Sequence, residues 1–201
     1  MAKYLEILKE NTRHNIPVHA IIAILLLCFS PLVLGVENLP YEDAAKVLER
    51  YVALLGIIML TPVFLPEQNP DLRDLIRSKY TIYGIRVLEA VVLLAILLGV
   101  YMAVLSYNSC QLHVLPYYGG TLAEMLFVGG LGIFGFALFD NLIAGYMIPV
   151  FYYIVAFGSG AKYLKVFYPF SMSQGSYAEK FWLLAGGLIL IAAGILIRGR
   201  K

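Results

Sequence analysis

The 201-residue chain is 61% hydrophobic and 14% charged, with 15 Lys and Arg against 13 Asp and Glu, and its mean hydropathy is +0.80. A soluble domain carries roughly a quarter charged residues, so this composition excludes a water-soluble globule. Six membrane spans of about 20 residues each take roughly 120 residues, which excludes a sizeable soluble catalytic domain. A net charge of +2 excludes nucleic acid as the main ligand.

The amino-terminal MAKYLEILKENTRHN carries Lys3, Glu6, Lys9, Glu10 and Arg13. It has no small-residue cleavage site after an apolar run, so it is expected to stay on the chain as an amphipathic interfacial helix over residues 1–15. The first apolar run, 16–36, is long enough to cross a bilayer. The second, 47–65, is short, but it extends backwards through AAKVLER, whose lysine and arginine can snorkel. After PEQNPDLRDLIRSKY comes the third span, 82–107. The turn-rich NSCQLHVLPYYGG, with Pro116 and Gly119-Gly120, reads as a connection to the fourth span, 121–139. The fourth and fifth, 121–139 and 141–158, are together too long for one helix, and Asp140-Asn141 is where they should turn. A glycine-serine turn at FGSG should end the fifth. The sixth, 179–198, runs into the basic RGRK. The expectation is an all-α integral membrane protein, one domain of six transmembrane helices over 1–201.

Orientation follows the distribution of lysine and arginine in short connections. With the amino terminus inside, ten fall on inner segments and five, Lys46, Arg50, Lys162, Lys165 and Lys180, on outer ones. Both termini are therefore expected on the cytoplasmic side of the cell membrane.

Chemistry-bearing motifs are sparse. Cys28 and Cys110 form no paired spacing, so neither a disulfide framework nor a zinc site is expected. No GxxxxGK[ST] occurs, so no nucleotide is expected on this chain. All three histidines precede Ser159, which speaks against a serine nucleophile at FGSG. Arg86 and Glu89 lie three apart at the start of span three, a spacing that allows an intramembrane ion pair. Glu124, near the outer end of span four, and Asp140, in the inner hairpin, should both reach headgroup water, and no carboxylate is expected deep in the bundle. Gly129, Gly132 and Gly135, and Gly186, Gly187 and Gly194, permit close helix approach, either within the chain or between two copies. Pro62 and Pro149 should loosen spans two and five. An interface belt explains most of the aromatics at 117–118, 151–153 and 167–170.

The segment between spans two and three is the most informative. Asn69 can cap a helix, Pro70 suits its first turn, Asp71 and Asp74 complement its positive end, and Arg77 and Lys79 its negative end. Leu72, Leu75 and Ile76 form an apolar face that needs cover.

Taken together, an amphipathic start, six spans, Glu67 just after span two, the stretch Leu72 to Lys79 with its Ser-Lys pair, and AFGSGAKYLKVFYPFSMSQG before the last helix resemble the permease subunit of an ABC-2-type transporter. The resemblance implies that Asp71, Leu72, Leu75, Ile76 and Arg77 form a cytoplasmic coupling helix, with Glu67 a contact at its start. It also implies that Tyr4, Leu5, Ile7 and Leu8 face lipid. The implied partners are an ABC ATPase subunit that holds ATP and Mg, and a second permease in a homodimer or heterodimer. The implied function is export of an amphipathic substrate such as a peptide, lipid or drug-like molecule. The competing classes are a small polytopic membrane enzyme and an accessory membrane scaffold.

Overall fold

The structure, a computed structural model, describes residues 16–68 and 83–200. Among these residues every regular element is helical. In chain order they are α1 (Ile16–Leu34), α2 (Tyr41–Arg50), a 3₁₀ turn at Val52–Leu54, α3 (Leu55–Leu60), a 3₁₀ helix at Thr61–Gln68, α4 (Tyr83–Tyr107), α5 (Val114–Phe139), α6 (Leu142–Tyr163), 3₁₀ turns at Lys165–Phe167 and Met172–Gln174, and α7 (Ala178–Arg200). Among the described residues five stretches are long and apolar enough to cross a membrane: Pro17–Leu34, Tyr41–Pro66, Tyr83–Tyr107, Val114–Phe139 and Ala178–Arg200. Leu142–Gly158 is a shorter apolar helix. This is the build of a multi-pass membrane protein.

Helix α5 is the hub, packed against α7, α6, and α3 with its flanking 3₁₀ turns. Apolar attraction contributes little between helices in lipid, so close approach by small residues must hold them. A Cβ on Gly56 would come within 2.8 Å of the Met125 backbone carbon, and one on Gly187 within 2.8 Å of the Leu126 carbonyl carbon and the Phe127 nitrogen. Gly129 faces Leu60 and Gly56, Gly132 faces Thr61, and Gly194 faces Ile133. Both glycine series therefore serve packing inside the chain. By contrast α1 is mostly exposed, with Val18, Ile21, Leu25, Phe29 and Leu32 turned outwards, and it is tied to α4 by Ser30 Oγ and Tyr101 Oη 2.7 Å apart.

Several boundaries differ from expectation. The fourth span starts at Val114, so Pro116 and Gly119-Gly120 lie inside a helix. Proline is tolerated in a first turn, where its missing N–H has no partner to lose, and Gly120 lets the Met172 side chain lie against the helix, since a Cβ there would displace Met172 Sδ. The second span starts at Tyr41 and is broken by 3₁₀ turns, the longer of which contains Pro62 and Pro66. Helix α6 continues through Gly158–Gly160 to Tyr163, so the expected glycine-serine turn is helix, and Pro149 lies within it. The hairpin at Asp140-Asn141 forms as expected. Asp140 closes α5 in the left-handed region at φ 53°, and the Asn141 side chain accepts from the Ile143 N–H at 2.8 Å.

The bundle has two distinct ends. At one, the loop end, Asn38 donates to the Asn108 carbonyl and Gln111 to that of Leu39, while Tyr117 stacks near Tyr177. At the other, the hairpin end, Phe64 meets Tyr83 and Phe136, and Arg198 pairs with Asp140.

Candidate functional site

Three charged side chains meet inside the loop end. Glu49, on α2, and Glu124, on α5, are 0% exposed, and Lys180, on α7, is 5% exposed. Helical spacing sends Glu49 inwards. It follows buried Ala45 at i+4 and precedes buried Val52 at i+3, so it shares the apolar face of an otherwise polar helix. Lys180 starts at the level of Gly120, whose hypothetical Cβ would lie 3.4 Å from Lys180 Cγ. From there the ammonium reaches Glu124, one helical turn further along α5.

The Lys180 Nζ donates to Glu124 Oε2 at 2.7 Å and to the Pro169 carbonyl, and lies 2.8 Å from Glu49 Oε1. Glu49 is also held by backbone. Its Oε1 accepts from the Met172 N–H at 2.6 Å and its Oε2 from the Ser173 N–H at 3.1 Å. Removing such ions from water costs several kcal/mol each unless they are paired and hydrogen-bonded. The cluster thus ties α2, α5 and α7 to the 165–175 connection at one point.

An aromatic collar closes round it. Tyr153 donates to the Glu49 carbonyl at 2.9 Å and Tyr152 to that of Phe167 at 2.5 Å. Phe170 packs against Tyr153, Phe157 and Tyr168, and the Arg50 guanidinium lies 5.6 Å from the Phe157 and Phe170 ring centres. Burial raises the Tyr168 hydroxyl above its ordinary range, with the Arg50 charge opposing. Tyr117 is buried and donates to the Tyr41 carbonyl at 2.9 Å. These aromatics fold the connection onto the helices, whereas Phe151 is exposed as a belt residue would be. A cleft of about 430 Å³ lies beside the cluster, lined by Leu115, Pro116, Gly119, Tyr177, Phe181 and Lys180.

The expectations for the loop end need correcting. Glu124 does not reach headgroup water, Lys180 is not a loop lysine, and two carboxylates do lie in the bundle. In AAKVLER the lysine and arginine give Glu49 the look of an interfacial residue. The signal was an acidic residue at helical spacing from Ala45 and Val52. At the hairpin end Asp140 keeps 39% side-chain exposure and Arg198 only 2%, with the guanidinium 5.5 Å from the Phe136 ring centre.

Among the other expected site residues, Glu67 falls in the last 3₁₀ turn of the second span. Asp71, Leu72, Leu75, Ile76 and Arg77 lie outside the described residues, as do Tyr4, Leu5, Ile7 and Leu8. Arg86 is buried and Glu89 half-buried on α4. Among the described residues no group of three or more His, Cys, Asp or Glu is arranged to hold a metal ion. Comparison with protein-family models, curated proteins and solved structures gives no match for this chain.

Proposed function

We propose that the chain is the membrane-spanning subunit of an ATP-driven exporter of the ABC-2 type. In this reading it works with a separate ATPase that binds ATP and Mg, pairs with a second permease, and moves an amphipathic substrate. The observation that supports it is the build of the second span. A 3₁₀ stretch within a helix often marks a hinge, and proline removes a backbone hydrogen bond. Here a helix interrupted at Val52–Leu54 and again at Thr61–Gln68 runs from the buried Glu49 at one end of the bundle to Glu67 at the other. Directly after it comes the segment holding Asp71, Leu72, Leu75, Ile76 and Arg77, the coupling candidates.

A jointed span in this position can carry a displacement of the 69–77 segment to the loop end. An ATPase that moves Leu72, Leu75 and Ile76 would shift the 3₁₀ joint, change the fit of α3 on α5, and redistribute the bundle between two packings. Both termini are cytoplasmic in this reading, and the chain does no bond chemistry. Arg86 and Glu89 act as an ion pair that steadies the start of α4.

The test is affinity purification of the tagged chain in mild detergent. A soluble ATPase is expected with the wild type and should be lost when Leu72→Asp, Leu75→Asp and Ile76→Asp are combined. Absence of any ATPase with the wild type would overturn the reading and favour the enzyme or scaffold class.

A further inference from the structure

Donors and acceptors in the ion cluster do not balance. The Lys180 ammonium has three protons, and they are directed at Glu49 Oε1, Glu124 Oε2 and the Pro169 carbonyl. Glu49 accepts from two backbone N–H groups as well as from Lys180, an arrangement that fits the ionised carboxylate. Glu124 Oε1 is buried and has no hydrogen-bond partner among the described residues. One turn earlier on α5, Thr121 is fully buried and its Oγ1 also has no partner among them. With both carboxyls ionised, the cluster would hold one uncompensated negative charge inside an apolar bundle, which is costly.

We propose that Glu124 is a proton-binding site, taking up one proton at Oε1 and releasing it when the cluster opens. The step is Glu124 carboxylate plus a proton giving the neutral acid, with no other bond made or broken. The cluster then sums to zero: Glu49 negative, Lys180 positive, Glu124 neutral. The neutral acid still accepts from Lys180 at Oε2, and its new O–H can turn towards Thr121 one turn away.

The surrounding ionisable groups leave that role to Glu124. On the second span these are Glu49 and Arg50, and on α7 Lys180, with Glu179 held by Ser176 at 2.5 Å. From α6, Tyr152 and Tyr153 lie within electrostatic reach of Glu124, but both phenols donate to carbonyls. Tyr168 completes the connection's side, and Tyr117 donates to the Tyr41 carbonyl. The cleft beside Gly119 and Gly120 has Lys180 in its wall, so it borders the cluster on the lysine's side. None of this depends on the permease reading, because the proton would bind whether or not an ATPase partner exists.

The experiment uses the full chain in lipid nanodiscs. Infrared difference spectra between near-neutral and alkaline pH, a range in which exposed carboxylates stay ionised, should show the carbonyl stretch of a protonated carboxylic acid in the wild type, and this band should be lost in Glu124→Gln. Glu124→Asp should retain it at a shifted position, which separates loss of the proton from loss of the fold. Dicyclohexylcarbodiimide, which reacts with protonated carboxyls, should form an adduct on the Glu124 peptide that falls as pH rises, with Glu49 unlabelled. Identical difference spectra for wild type and folded Glu124→Gln would overturn the proposal, as would an adduct confined to Glu49.

Discussion

The two ends of the bundle use charge differently. At the loop end, Lys180 joins two fully buried carboxyl groups, and backbone N–H groups complete the shell of Glu49. At the hairpin end, Arg198 pairs with an Asp140 that keeps 39% of its side chain exposed. Both pairs anchor α7, the first through its opening turn and the second through its last. Water reaches the Asp140 half of the hairpin pair, although Arg198 is only 2% exposed. It cannot easily reach the loop-end cluster, so the stakes there are higher.

That contrast predicts an order of effects. Lys180→Met keeps the length of the side chain and removes its charge, leaving the buried Glu49 carboxylate without its counter-ion. A loss of about 3–5 kcal/mol is expected, the range for removing one partner of a buried ion pair. It would be read as a drop in unfolding midpoint in detergent, followed by Trp182 fluorescence. A loss no larger than that of the hairpin variant would break the comparison.

Asp140→Asn removes charge at the other end while retaining a residue type that tolerates the left-handed region at φ 53°. Asp140 is half open, but the Arg198 left behind is 2% exposed, so a loss of about 1–3 kcal/mol is expected, between the ranges for exposed and buried pairs, and salt should shrink it. Equal losses at low and high ionic strength would show that Asp140 acts as a buried partner.

The smallest effect lies next to the cluster. A Cβ on Gly119 meets nothing within 4 Å, so Gly119→Ala should gain up to about 0.5–1 kcal/mol from helix propensity. Gly120→Ala, one residue on, should lose stability because its Cβ would collide with Met172. If the two alanines behave alike, the 165–175 connection does not seat on α5 as described.

How far the sequence revealed these features depended on whether the deciding interaction was local. Hydropathy located the helices, and Asp140-Asn141 marked the hairpin because a turn residue and a cap act over two or three positions. Pro116 and Gly119-Gly120 misled, since their local signal is that of a turn. Gly120 instead makes room for Met172, more than 50 residues away in the chain. Glu124 and Lys180 each looked like interface residues when taken singly. Their meeting is set by the seating of α7 on α5 through Gly187 and Gly130, which no spacing within either helix displays.

The sequence by itself determined that this is a helical, multi-pass membrane protein, because composition and run length answer to the thickness and polarity of the bilayer. It also determined that small residues would let the helices approach closely. Only the tertiary structure decided which helices meet, and therefore that Glu49, Glu124 and Lys180, 131 positions apart at the extremes, share one buried site. The reason is physical: burial cost attaches to a charge through its whole surroundings, and those are assembled from distant parts of the chain.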